Sequence, residues 1–143
     1  AKWAYMLNDM KRSAAFFGVP YDEPVKLPLS SHLAARLYYA IAEQGAEQAN
    51  ALAHRIFTAF FVERKDISDE AVLRALASDA GISEKAAVEG MKGQQGRALL
   101  ESAVEGAIED GVVGSPFFRV GEEGLFGADR LPQLRWLLSG GRR

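Results

Sequence analysis

The 143-residue chain contains no cysteine. For these residues that excludes disulfides, thiolate metal sites and a cysteine nucleophile, so any thiol chemistry must use a thiol brought by another molecule. Histidine is almost as scarce. His32 and His54 stand too far apart for a helical metal pair, and neither His-x-x-x-His nor His-Glu-x-x-His occurs. Both read as ordinary helix-face residues. No apolar run approaches the ~20 residues of a membrane span, and no secretory leader is visible. The expectation is a cytoplasmic protein without a membrane partner. An excess of one charge is also lacking. Seventeen Lys and Arg against nineteen Asp and Glu give a formal net charge of -2, with the basic residues scattered among acidic ones. That is a solvated surface rather than a nucleic-acid footprint. No internal repeat or low-complexity tract is present.

What is present suits one soluble globular domain with a real core: 48% hydrophobic and 25% charged residues. Helical periodicity begins almost at once. Trp3, Met6, Leu7, Met10, Ala14 and Phe17 recur at three- and four-residue spacing, which predicts a helix over 2–17 stopped by Gly18. Residues 19–29 hold three prolines and read as an extended connector. Ser30 or Ser31 can cap a second helix to about Gln44, and a third covers roughly 46–62 with Leu52, Ile56, Ala59 and Phe60 on its inner face. Ser68 or Asp66 is expected to cap a fourth, ending at Gly81, and Ser83 a fifth to about Met91. Gly93 and Gly96 should loosen the next junction. A sixth helix is expected over 97–110, turning Leu99, Leu100, Ala103, Val104, Ala107 and Ile108 inward.

The character then changes. Phe117–Val120 reads as a strand, residues 121–124 as a turn, and residues 125–127 as a second strand. A last helix carries Leu131, Leu134, Trp136, Leu137 and Leu138. Pro132 fits only its first turn, which places the start at Ala128 or Asp129. Two motifs flank the hairpin. In Gly114-Ser115-Pro116, a cis bond would turn the Ser115 backbone outward, free to pair with a bound peptide; a trans proline at a strand start is the commoner arrangement. In Gly127-Ala128-Asp129-Arg130, Asp129 is a natural N-cap. The amides of that helix start favour an anion, and the carboxylate could hold an ammonium.

Helix, Gly-x-Pro, strand, turn, strand, Gly-x-Asp, helix is the second half of a thioredoxin-like domain. Together with Lys2, Tyr5-Met6, Asn8-Asp9, Gly18-Val19-Pro20 and Asp66-Ile67-Ser68-Asp69, these motifs make the chain resemble the 2-hydroxychromene-2-carboxylate isomerases and the related kappa-class glutathione transferases. The resemblance implies an α/β fold, with a helical insertion over 1–111 and the closing strand-strand-helix unit of a thioredoxin-like domain over 112–143. It implies glutathione as cofactor. The tripeptide would pair with the backbone of Ser115, before Pro116. Its γ-glutamyl end would be held at Ala128 and Asp129, and its glycyl carboxylate approached by Lys2, with Arg130 as a nearby cation. The substrate implied is a small aromatic carboxylate, and the assembly a homodimer.

The family reaction adds the glutathione thiolate to the chromene, opens the ring, rotates a single bond and eliminates glutathione. Trp3, Phe16, Tyr38, Phe57, Phe60 and Phe61 are the aromatic side chains on offer, most of them read as core. The family also opens with a strand-helix-strand unit whose serine activates the thiol, and nothing in the chain matches it. The expectation is therefore about sixty further N-terminal residues, a strand among them pairing with the hairpin, and no activity from these 143 residues alone. Two other readings share the fold. One is a dithiol oxidoreductase of the disulfide-forming type, with its Cys-x-x-Cys in that further part. The other is a non-catalytic thioredoxin-like binding module.

Overall fold

A computed structural model describes residues 2–141 of the chain. Residue 1 and residues 142–143, the outer ends of the two expected ranges, lie outside the described residues. The chain divides into two compact units, residues 1–100 and 101–143.

The first unit is helical: α1 (Lys2–Phe17), α2 (His32–Ala42), α3 (Ala46–Phe61), α4 (Glu70–Asp79), α5 (Glu84–Lys92) and the beginning of α6 (Gln94–Glu109). Glycine ends α1 and α4 for a conformational reason. Gly18 and Gly81 take φ of +65° and +74°, letting the next amides fold back. Val19 N–H donates to the Ala14 carbonyl at 3.0 Å, and Ile82 N–H to that of Ala77 at 2.9 Å. The core is built from Leu37 and Ile41 of α2, Leu52, Ile56 and Phe60 of α3, Leu73 and Leu76 of α4, and Met91 of α5. α2 packs on both α3 and α5. Gly90 makes the α2–α5 approach possible, because a Cβ there would stand 3.1 Å from that of Ala40.

Several expectations are corrected here. The cap of α4 is Asp69, which accepts the Ala71 N–H at 2.8 Å. Asp66 instead shapes the preceding turn, accepting from Ser68 N–H at 2.9 Å and Ser68 Oγ at 2.5 Å. These bonds, with nearby Lys26, hold the Asp66 carboxyl below its ordinary pKa. Lys26 reaches Asp66 at 3.4 Å and Ser68 at 3.2 Å, fastening the proline-rich connector to that turn. Gly96 does not loosen a junction. It is buried within α6, where its bare Cα lets the Gly90 carbonyl approach.

The inward stripe expected for α6 is weaker than its periodicity suggests, and the periodic face of α1 is also uncovered. No α1 residue is buried; Trp3 and Phe17 are exposed. On α6, Val104 and Ile108 are exposed, while Leu99, Leu100, Ala103 and Ala107 are half-buried. Periodicity identifies an amphipathic helix but not a partner, and α1 does not pack extensively on another element of the first unit, nor does either part of α6 within its own.

The second unit holds the end of α6, the hairpin β1 (Phe117–Val120) and β2 (Glu123–Phe126), a 3₁₀ turn (Ala128–Arg130) and α7 (Leu131–Leu138). Phe117 pairs with Phe126 and Val120 with Glu123. The turn is therefore Gly121-Glu122 alone, with Gly121 at φ +60°, the glycine-first pattern of a type II′ hairpin. Gly124, expected in the turn, instead faces Arg119 in the ladder, its Cα lying beneath the Phe117 ring. Among the described residues there is no other strand. α7 packs on β1, and Leu125 is the buried side chain among the described residues of this unit. Arg119 of β1 pairs with Asp110, just past α6.

Candidate functional site

Five of the six candidate site residues lie in the second unit, and its backbone brings their two motifs together. The Ser115-Pro116 bond is cis. Ser115 is exposed, and neither its N–H nor its carbonyl has a hydrogen-bond partner among the described residues. The Pro116 carbonyl is engaged: it accepts the Gly127 N–H at 2.9 Å, one step beyond the Phe117–Phe126 pair. The ladder therefore continues from the hairpin into both motifs and stops at Ser115, where a donor and an acceptor stand open. That is the arrangement an extended peptide backbone can join.

Ala128, Asp129 and Arg130 follow directly from Gly127. Asp129 is not the N-cap of the last helix. It sits inside the 3₁₀ turn, whose flanking position is Gly127, while Arg130 flanks α7. The reason is Gly127 itself. Its φ of +106° and ψ of 150° turn the chain two residues ahead of the expected cap, and the carboxylate lies over the Gly127 Cα instead of capping α7. Pro132 then falls within the first turn of α7, where it displaces no helical hydrogen bond. The Arg130 Nε lies 3.6 Å from Asp129 Oδ2, and both side chains are open to solvent. Such a pair adds little stability, which leaves the carboxylate available to another cation. The Ala128 and Asp129 amides open the turn and have no carbonyl behind them.

One contact in this constellation was not anticipated from sequence. The Phe126 ring lies against the Cα of Gly114, and any side chain at 114 would strike it. The available signal was a glycine before Ser-Pro matched by an aromatic residue before Gly-x-Asp.

Lys2 opens α1, exposed, in the first unit, so it is not joined to the other five within one unit. The aromatic candidates also belong to the first unit. Phe60 is core, Tyr38 and Phe61 are half-buried, and Trp3, Phe16 and Phe57 are exposed, so one of the six is core where most were expected to be. The Phe57 and Phe61 rings stack with centroids 6.2 Å apart, and Tyr21 lies 6.5 Å from Phe61. The Tyr21 hydroxyl has no partner among the described residues. Burial, with Glu23 and Asp22 nearby, pushes its pKa up. Among the described residues no group of His, Asp and Glu could hold a metal ion, and no helix is long and apolar enough to cross a membrane.

An exposed strand end before a cis proline, tied to a turn bearing an acid, defines a class of fold. Residues 1–139 match the DSBA-like thioredoxin domains, and the chain belongs to that family. Within it, the chain is 30% identical over 126 residues to the 2-hydroxychromene-2-carboxylate isomerase of Sphingobium xenophagum. That match covers 88% of this chain and 63% of the relative, so the chain spans less than two thirds of that protein's length. A solved 2-hydroxychromene-2-carboxylate isomerase superposes with a TM-score of 0.84 at 25% identity, over 97% of this chain and 66% of the other. A proposed protein disulfide isomerase from Nitrosomonas europaea shares the fold, with a TM-score of 0.75 at 21% identity over 98% of this chain and 76% of that one. The expected thioredoxin-like class and the resemblance to the isomerases are thus both shown.

Proposed function

We propose that this protein is a glutathione-dependent isomerase of 2-hydroxychromene-2-carboxylate or a closely similar aromatic carboxylate, acting in the cytoplasm as a homodimer. The observation that carries the reading is the pairing of an unpartnered Ser115 backbone with an available Asp129 carboxylate, on two motifs joined by the Gly127–Pro116 hydrogen bond. The likeness to the Sphingobium xenophagum isomerase supports it.

These groups fit a tripeptide thiol. Ser115 N–H and C=O would bind its cysteinyl backbone as an added strand. Asp129 would hold the γ-glutamyl ammonium, with the Ala128 and Asp129 amides facing the adjacent carboxylate. Arg130 adds positive charge beside the site. When bound, glutathione supplies the nucleophilic thiol that a cysteine-free chain lacks. The part of this chain is to bind and orient; no catalytic residue is assigned among its side chains.

The family match also supports a second reading, a dithiol oxidoreductase. Assaying the natural protein for glutathione-dependent isomerisation of the chromene, beside a chloronitrobenzene conjugation and a disulfide exchange, separates the readings. Isomerisation that requires glutathione is the expected result. Conjugation alone would make the protein a kappa-like transferase, and disulfide exchange without isomerisation would overturn the isomerase reading.

A further inference from the structure

Gly127 joins the two motifs and shapes the turn that follows it. Its N–H donates to the Pro116 carbonyl at 2.9 Å, one residue from the open Ser115 backbone, and its own carbonyl accepts the Arg130 N–H at 3.1 Å, closing the turn. Its Cα supports the Asp129 carboxylate: a Cβ at 127 would collide with Asp129 Oδ1. Its backbone, at φ +106° and ψ 150°, lies in a region that is essentially glycine-only.

We infer that Gly127 is a positioning residue for the thiol tripeptide. It sets the distance and direction between the strand end at Ser115 and the carboxylate of Asp129, so that one ligand can meet both. The inference rests on the glutathione reading above. It assigns to Gly127 a task distinct from closing a turn, because the atom its missing side chain makes room for is the proposed ammonium acceptor itself. A flexible carboxylate yields easily to a methyl group. The expected damage is therefore a misdirected acid, added to the backbone strain that an L-residue meets at this φ and that both backgrounds of a double-mutant cycle share.

A double-mutant cycle with glutathione, measured by calorimetry on the natural protein, tests this. Gly127→Ala should weaken glutathione by about tenfold when Asp129 is present, and by less than about twofold in an Asp129→Ala background, where no carboxylate remains to displace. An equal loss in both backgrounds, or no loss in either, overturns the inference while leaving the glutathione reading intact. Absence of binding by the unsubstituted protein overturns the glutathione reading and the inference with it.

Should Gly127→Ala fold poorly, a second variant decides. D-Alanine at 127, installed by peptide ligation, tolerates a positive φ and turns its methyl away from Asp129. It should bind glutathione as tightly as the unsubstituted protein, and a tenfold loss there would refute the positioning role.

Discussion

Replacing Gly90 with alanine has opposite effects on stability depending on what stands at position 37, and the structure sets both signs. Gly90 lies inside α5, where alanine is favoured over glycine by about 1 kcal/mol. Against that gain, the new Cβ would stand 3.1 Å from Ala40 Cβ, 3.4 Å from Leu37 Cδ1 and 3.5 Å from Leu37 Cα. Overpacking of this kind costs about 1–3 kcal/mol, so Gly90→Ala alone should destabilise by ~1 kcal/mol. Leu37 is fully buried on α2, which packs on both α3 and α5. Leu37→Ala should cost about 3–4 kcal/mol, because flanking helices cannot collapse fully into the space. In that background the Cδ1 contact is gone, and the space left lets α2 shift by the few tenths of an ångström that the remaining 3.1 Å Ala40 contact requires. Gly90→Ala then adds a buried methyl worth about 0.8 kcal/mol to its helix-forming gain, and should restore ~1–2 kcal/mol. Urea unfolding followed by far-ultraviolet circular dichroism gives the four stabilities. The same destabilisation by Gly90→Ala in both backgrounds would refute the claim that the α2–α5 approach is set by this contact.

Two further predictions concern the approach to α4. Asp69→Ala removes the acceptor of the Ala71 N–H and should cost about 1 kcal/mol by the same unfolding assay. Asp66 is held below its ordinary pKa, chiefly by Ser68, so its contribution is present above the unfolded carboxyl value of about 3.9 and is lost as pH falls through the lower folded value. Ser68→Ala should therefore destabilise at neutral pH, with the difference shrinking under acid conditions. A difference that stays constant from neutral pH to about pH 2 would contradict this.

Much of the fold is legible in the sequence because helices announce both their faces and their ends. Gly18, Gly81 and Gly111 stop helices where expected, each at positive φ, and Leu52, Ile56, Ala59 and Phe60 face the core as their spacing predicts. What was not legible depends on contacts between segments. Val104 and Ile108 have helical spacing, yet spacing carries no information about a covering partner. Asp66, Ser68 and Asp69 are all competent caps; Asp66 and Ser68 are engaged with each other and with Lys26, and Asp69 serves. The site divides in the same way. Ser115, Pro116 and Asp129 stand out as residue types at a strand start and a helix start. The Gly127–Pro116 hydrogen bond and the seat of Phe126 on Gly114 are products of hairpin register. A two-residue turn in place of four decides that register.

The central claim is that a thiol tripeptide joins the strand end at Ser115 and reaches Asp129. Residue-resolved amide hydrogen exchange on the natural protein, with and without glutathione, tests it most directly. Ser115 N–H is exposed and unpartnered in the free chain, so glutathione should slow its exchange together with that of Ala128 and Asp129. Glutathione binding that protects other amides and leaves Ser115 unchanged would contradict the account.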